Sequence, residues 1–288
     1  MTEIRIDPLS GLRAIVASGP PPPLTPGTPV SVPSDPAEPV HEPLLRADAA
    51  DPPPQDNPDL FTALAARGSR ELIAHAPPPA RTLAELEPEQ VAAAAERWRE
   101  RMRAHDTAAY VHLGVDEGAP DAPAHAVLVA LDFVPAAVAR ERERFSAYAV
   151  RTMGANLLED LVADEVRRRV RIVAIHDEAV LWCPYASQRP YQLMLAPRRR
   201  RDRFEDDGPT GAALLHRGLR VLEQHFGTSP PLSLWIRTAP RGAERFCWRI
   251  DVVPRLTRAG GLELGTGLAH NPVAPEHAAA ALRELARV

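Results

Sequence analysis

The stretch "DAPAHAVLVALDFVP", residues 121–135, joins a proline-broken loop to an apolar run that predicts a buried strand. One histidine, His125, stands at the junction. Functional side chains often lie at such loop–strand boundaries, because the strand holds them rigidly. The imidazole can serve as a nucleophile or a general base, or it can be an ordinary histidine at a strand end. The stretch alone leaves both interpretations open.

Alternating and amphipathic segments outside this stretch predict an α+β protein. Before it, the pattern indicates a helix over 82–105 and a strand over 108–115. After it come a helix over 156–170, a hairpin over 171–184 and a strand over 190–197. Each half of the chain thus shows a strand, a long helix, a strand, a turn and a strand. We therefore predict an internal duplication, with an antiparallel sheet and helices packed on it.

Proline content divides the chain into segments. Residues 1–18 predict an N-terminal strand pair, and residues 19–57 are a proline-rich irregular segment, because proline removes a backbone donor that helices and central strands need. The two duplicated halves follow as residues 58–150 and 151–288. The glycine-rich stretch 260–267 follows no strand–glycine–helix pattern, so we interpret it as a turn rather than a phosphate-binding loop.

Composition excludes several classes of function. The formal net charge is −4, which gives no support for binding nucleic acid, and no apolar run approaches the length of a membrane span. The two cysteines, Cys183 and Cys247, are far apart, and the N-terminus has no apolar signal segment. We therefore expect a cytoplasmic protein. The basic run over 197–204 predicts a solvated loop rather than a phosphate site.

Several stretches of the chain follow one another in the same order and at the same spacing as in a known family. They include "RIDPLSGLRAIVA" (5–17), "GSRELIAHAP" (68–77), "FVPAAVARERERFSAY" (133–148) and "FCWRIDVVPRLTRAGGLELGTGLAHNPVAPEHAA" (246–279). These blocks resemble the galactose-1-phosphate uridylyltransferases of the histidine-triad superfamily. The resemblance implies two histidine-triad-like halves and a homodimer, and the first part agrees with the duplication expected from the chain itself.

The resemblance also implies a chemistry for His125. In the family, a histidine at the start of a strand attacks the α-phosphorus of UDP-glucose and forms a uridylyl-histidine. The enzyme then transfers UMP to a hexose 1-phosphate, a ping-pong reaction of galactose metabolism. His125 falls on the middle histidine of the H-x-H-x-Q motif, so it is the implied nucleophile. The implied partners are a UDP-sugar and a hexose 1-phosphate, and we take Asp116, Arg249 and Asn271 as candidate substrate-binding residues.

The chain departs from the family pattern around that histidine. The first histidine of the motif is Pro123, and the glutamine that contacts the phosphoryl oxygens is Val127. The family's structural zinc uses that first histidine, a cysteine pair and a further histidine, which falls on Pro79 here. Because a zinc site needs its full set of ligands, we predict no zinc and no other cofactor.

A second metal site of some family members is also altered. Glu141 matches its glutamate by spacing, whereas Cys247 and Arg249 stand where the family has histidines. Glu141 is thus the only retained position, and we predict no metal there.

Two functions from different classes follow. The first is a uridylyltransferase-like enzyme that acts through His125. The second is a catalytically degenerate relative that works as a binding or regulatory protein. A nucleotide phosphorylase or adenylyltransferase of the same superfamily is a further alternative to the first.

Overall fold

The protein, seen in a computed structural model, is built around one large antiparallel sheet; residues 2–6, 13–17, 39–42, 44–75, 80–118 and 124–286 are described. The strands are β1 (Thr2–Ile6), β2 (Arg13–Ala17), β3 (Val40–Glu42), β4 (Thr62–Ala65), β5 (Gly68–Ala74), β6 (Tyr110–Glu117), β7 (His125–Leu131), β8 (Ile172–Ile175), β9 (Ala179–Trp182), β10 (Leu193–Pro197), β11 (Leu232–Arg237) and β12 (Arg249–Pro254). The helices are α1 (Pro88–Ala104), α2 (Ala136–Arg151), α3 (Leu157–Arg168), α4 (Ala212–Phe226), α5 (Gly261–Thr266) and α6 (Pro275–Leu285), with a short 3₁₀ helix over Leu83–Glu85. No helix within the described ranges is both long and apolar enough to cross a membrane.

The strand order shows the duplication directly. The nine-stranded sheet runs β3-β5-β7-β6-β11-β12-β10-β9-β8. In the first half, β5 leads through α1 to β6, and β7 then inserts between β5 and β6. In the second half, β10 leads through α4 to β11, and β12 inserts between β10 and β11. The halves meet where β6 pairs with β11. The predicted duplicated α+β fold is therefore confirmed.

One face of the sheet carries the main core. Helices α1, α4 and α6 pack on it, and Trp98 of α1 and Leu222 of α4 are fully buried there. The strands contribute every second residue, because successive side chains of a strand point to opposite faces. We call this the helix face and the other side the second face.

The second face is covered unevenly. Over the C-terminal half, α2 and α3 bury a cluster that includes Phe145, Trp182 and Phe246, and the rings of Phe145 and Phe246 stack 4.9 Å apart. Over the N-terminal half there is a smaller cluster, to which the three-stranded sheet β2-β1-β4 contributes Ile4. The strand ends beyond that cluster remain accessible.

Two parts of the chain differ from the sequence-based expectation. Within the proline-rich segment, β3 pairs with β5 at the edge of the sheet, where prolines nearby remove no ladder bond; residues 19–38 lie outside the described residues. The stretch 260–267 is not a simple turn but contains α5. The Glu263 carboxylate accepts the Gly260 N–H at 2.9 Å at its start, and Gly267 ends it with φ +71°.

Candidate functional site

His125 is the first residue of β7 and lies on the second face. Ala126, Leu128 and Ala130 point into the helix-face core, so His125, Val127 and Val129 alternate onto the opposite side. The imidazole is partly exposed, whereas the three alternating residues are buried. The strand therefore presents a histidine to solvent on a rigid backbone.

Backbone hydrogen bonds fix the entry to this strand. The Ala124 N–H donates to the Ala80 carbonyl and the His75 N–H donates to the Ala124 carbonyl, both at 3.0 Å. Ala74 pairs with His125 in the sheet register. The position of the His125 backbone is thus set from both sides. Residues 76–79 and 119–123, which include Pro79 and Pro123, lie outside the described residues.

A second histidine, His75, lies behind this entry. It is 1% exposed, and its ring meets Trp98 edge-on at 5.2 Å. Burial lowers the pKa of His75 well below 6.5, and the nearby His125 and Arg97 lower it further. The ring is therefore uncharged at neutral pH. Sequence analysis did not select His75, because a histidine after a strand carries no signal of its own burial.

Asp116 lies at the same end of the sheet as His125. Gly114 of β6 pairs with Val127, and alternation places Asp116 on the second face two residues beyond Gly114. Its exposed carboxylate accepts hydrogen bonds from Ser233 and from Arg255, the latter at 2.9 Å. The candidate Asp116 is thus close to the histidine end of the sheet but already engaged with a guanidinium.

The other end of the second face carries a cluster of opposite charges. Both carboxylate oxygens of Glu141, on α2, accept from Arg249 at the start of β12. Arg249 also donates to Asp251 at 3.0 Å, and the Arg237 Nε lies 3.4 Å from Glu141. Burial raises the pKa of Asp251, while Arg249 and Arg237 oppose that rise. We call these four residues the Glu141 cluster.

The sequence is similar to curated proteins whose names refer to a nucleotide sugar or a hexose phosphate. It is 26% identical over 197 residues to an ADP-glucose phosphorylase of Arabidopsis thaliana, covering 63% of this chain and 53% of that protein. It is 27% identical over 268 residues to a galactose-1-phosphate uridylyltransferase of Rattus norvegicus, covering 85% of this chain and 70% of that protein. A scan against models of protein families gives no match.

The fold agrees with these similarities. A solved structure of a uridylyltransferase superposes with a TM-score of 0.84 over 99% of this chain and 98% of that one, at 21% identity. The chain is a divergent relative of the galactose-1-phosphate uridylyltransferases. The resemblance expected from the quoted blocks is therefore confirmed. The alignment spans only about half of the phosphorylase, and a structural likeness at 21% identity establishes the fold alone.

The Glu141 cluster does not fit the second metal site that the relationship implies. Both Glu141 oxygens already face guanidinium groups, which would repel a bound cation. Cys247, at one of the expected ligand positions, is buried in the cluster with Phe246, and burial raises the pKa of its thiol to about 12. Among the described residues no group of three or more His, Cys, Asp or Glu side chains could hold a metal.

The remaining candidates lie in different surroundings. The Asn271 amide donates to the Ser187 and Arg189 carbonyls at 3.0 and 3.2 Å, and its oxygen accepts from the Val273 N–H. It therefore braces the C-terminal segment against the loop after β9. Arg249 is held in the Glu141 cluster, at the opposite end of the second face from His125.

The basic run over 197–204 is largely neutralised by nearby acids. Arg200 pairs with Asp202, Arg201 with Asp207, and Arg203 with Glu205. These pairs favour the expected solvated loop over a phosphate site.

Proposed function

We propose that the protein transfers a nucleoside monophosphate and that His125 is the nucleophile. The observation that carries the proposal is a partly exposed histidine at the start of β7, at the end of the second face away from the start of α2. The relatives are named ADP-glucose phosphorylase and galactose-1-phosphate uridylyltransferase, which supports a nucleotide sugar as substrate.

The proposed first step exchanges one bond for another. A nitrogen of the neutral imidazole attacks the α-phosphorus of the nucleotide sugar, and a P–N bond forms. The bond from that phosphorus to the bridging oxygen breaks, and hexose 1-phosphate leaves with the electron pair. In the second step a different hexose 1-phosphate attacks the same phosphorus, the P–N bond breaks, and the histidine is regenerated. The second acceptor in a phosphorylase would be inorganic phosphate.

The surroundings of His125 supply orientation. Its backbone is paired with Ala74 and follows Ala124, whose two backbone groups are both hydrogen-bonded. A rigid nucleophile needs less ordering when substrate binds, which favours attack. Because the buried ring of His75 is uncharged, it places no full positive charge beside the nucleophile.

A specific observation favours a second function. Val127 lies on the same face two residues from His125, and its hydrocarbon side chain cannot donate to a phosphoryl oxygen. Loss of one such donor commonly costs about 10²–10³ in rate. A protein that binds the nucleotide sugar without transferring it, in a binding or regulatory role, is therefore the alternative.

The test is the covalent adduct. Purified protein is incubated with UDP-glucose or ADP-glucose carrying a labelled α-phosphate, and the denatured chain is examined for acid-labile, base-stable label. We expect label on wild type and on His112→Asn, a matched change of a histidine on the same face, and none on His125→Asn. Labelling by UDP-glucose would identify uridine as the nucleoside that is transferred, and labelling by ADP-glucose would identify adenosine.

The acceptors distinguish the reactions. Release of the label by galactose 1-phosphate would identify the transferase of galactose metabolism, whereas release by inorganic phosphate would identify the phosphorylase. If wild type carries no label but binds UDP-glucose or ADP-glucose in calorimetry, the binding function is the correct one. Label that persists in His125→Asn would contradict the assigned nucleophile.

We also propose that the chain works as a homodimer in the cytoplasm. The exposed leucines Leu262, Leu264 and Leu268 along the C-terminal segment support a dimer, because a solvated chain rarely leaves such side chains grouped on its surface. Light scattering of wild type and of Leu264→Lys measures the mass. A monomeric wild-type protein would contradict the dimer.

A further inference from the structure

A cavity of about 640 Å³ lies on the second face, at the end of the sheet away from His125. Val129 lines it, four residues along β7 from His125, which corresponds to about 13 Å of strand. Ile4 and Arg13 of the small sheet close one side, and the start of α2 closes another. We call it the Tyr110 cavity. Its size is in the range of sites that hold small organic molecules.

The walls are mostly apolar. Val129, Leu131, Phe133 and Val138 line the cavity together with Ile4. Such walls favour an aromatic or aliphatic body, since each square ångström of apolar surface removed from water contributes about 25 cal/mol.

Positive groups converge on the same cavity. The Arg13 guanidinium lies 4.1 Å from the centroid of the Phe133 ring, and Arg237 also lines the cavity. The described lining residues include no carboxylate. Arg237 forms an ion pair with Glu141, so its position is set before any ligand binds. The two guanidiniums therefore favour an anion.

The first turn of α2 adds further donors. Ala136 and Ala137 line the cavity, and their N–H groups have no intrahelical acceptor, as at any helix start. Within the described chain Pro135 supplies no side-chain cap, and no acidic residue lies in the first turn. The positive end of this 16-residue helix thus faces the cavity.

A buried hydroxyl points independently to a ligand. Tyr110 lines the cavity and is 2% exposed, and its hydroxyl makes no hydrogen bond with any described residue. Burial raises the pKa of Tyr110, and the neighbouring Arg237 opposes that rise. A buried hydroxyl without a partner is costly, and a ligand oxygen would satisfy it.

We propose that the Tyr110 cavity is a second binding site, for a small organic anion that carries one charged group on an apolar body. The charged group lies between Arg13, Arg237 and the start of α2 and accepts from the Tyr110 hydroxyl. The apolar body packs on Val129 and Phe133. The site is separate from the proposed nucleotide site at His125.

Calorimetry with four probes tests the site. Phenyl phosphate and benzoate are the two anionic arms, benzyl alcohol is the neutral analogue, and inorganic phosphate lacks the apolar body. We expect at least one aromatic anion to bind one-to-one, and benzyl alcohol and inorganic phosphate to bind at least tenfold more weakly. The stronger of the two anions identifies the charged group as a phosphate ester or a carboxylate. No binding of either anion to wild type at millimolar concentration would overturn the proposal.

Variants locate the binding. Arg13→Met should weaken it at least tenfold and Tyr110→Phe severalfold, whereas Arg5→Met, a matched change of an exposed arginine on β1 that does not line the cavity, should leave it unchanged. Equal affinity in Arg13→Met and Arg5→Met would overturn the site. His125→Asn should bind as wild type does; a loss of binding there would place the probe at the nucleotide site instead and reject the proposal.

Discussion

The two halves of the sheet share one topology but differ in what covers the second face. In the C-terminal half, α3 and the aromatic side chains Trp182 and Phe246 bury it. In the N-terminal half, the same face presents the partly exposed His125 and Val127. The second face is thus packed with side chains in the C-terminal half, which favours stability. In the N-terminal half it is left accessible, so that a ligand can reach the strand ends.

The starts of the inserted strands make the contrast specific. His125 begins β7 and Arg249 begins β12, so the two residues are topological counterparts. Arg249 is held by Glu141 and Asp251 and is largely buried. The same backbone position therefore supports an internal ion cluster in one half and a solvent-accessible imidazole in the other. What packs over the position decides its role.

Removing a covered aromatic residue should have the largest effect on stability. Trp182 is fully buried on the second face of the C-terminal half, so Trp182→Ala should lower the free energy of unfolding by about 3–5 kcal/mol. The control is Trp235→Ala, because Trp235 lies on the second face near the junction of the halves and is partly exposed. Urea unfolding measures both. A loss in Trp235→Ala as large as that in Trp182→Ala would show that burial under α2 and α3 does not decide the cost.

Breaking the Glu141 cluster should cost nearly as much. Arg249→Met leaves Asp251 buried without its cation, and removing one member of a buried pair typically costs about 3–4 kcal/mol. Arg5, whose side chain is 57% exposed and pairs with Glu3, is the control, and Arg5→Met should cost less than about 1 kcal/mol. A chelator should not change the unfolding midpoint of wild type. A lower midpoint with chelator would contradict the conclusion that the cluster does not fit a metal.

Glu117 ends β6 as Arg237 ends β11, so the two residues are topological counterparts. Glu117 is buried, and the titration of its carboxylate should change the free energy of unfolding. Burial raises the pKa of Glu117 to about 7, above the usual 4.5. Because the folded state holds this proton more tightly than the unfolded state, the stabilisation is complete below about pH 4.5 and is lost as pH rises through 7. Wild type should therefore lose roughly 2–3 kcal/mol between pH 5 and 8 relative to Glu117→Gln. Parallel pH profiles of the two proteins would contradict this.

Restoring a donor beside the histidine should have the smallest effect. Val127→Gln places an amide on the same face two residues from His125. If adduct formation is limited by the missing donor, its rate should rise about tenfold, equivalent to about 1.4 kcal/mol. Val129→Gln, one step further along the same face, is the control. Equal rates in both variants would show that the position of the amide does not matter.

Much of the fold could be predicted from local patterns. The amphipathic period of α1 and the alternation of β11 are properties of neighbouring residues, so the order of strands and helices could be read from the chain. The short helix α5 could not, because its glycines favour a turn and it depends on Glu263 to cap the Gly260 N–H. The edge strand β3 could not be predicted either, because it is defined by its pairing with β5, which is a long-range contact.

The candidate site divides in the same way. The sequence by itself determined the duplicated α+β order and singled out His125, because strand boundaries and a lone histidine are local features. Only the tertiary structure decided that Arg249 and Arg237 meet Glu141, and that Tyr110 is buried in a cavity with an unpaired hydroxyl. These groups come from separate strands and a helix, and burial and charge pairing arise only when the strands are brought together.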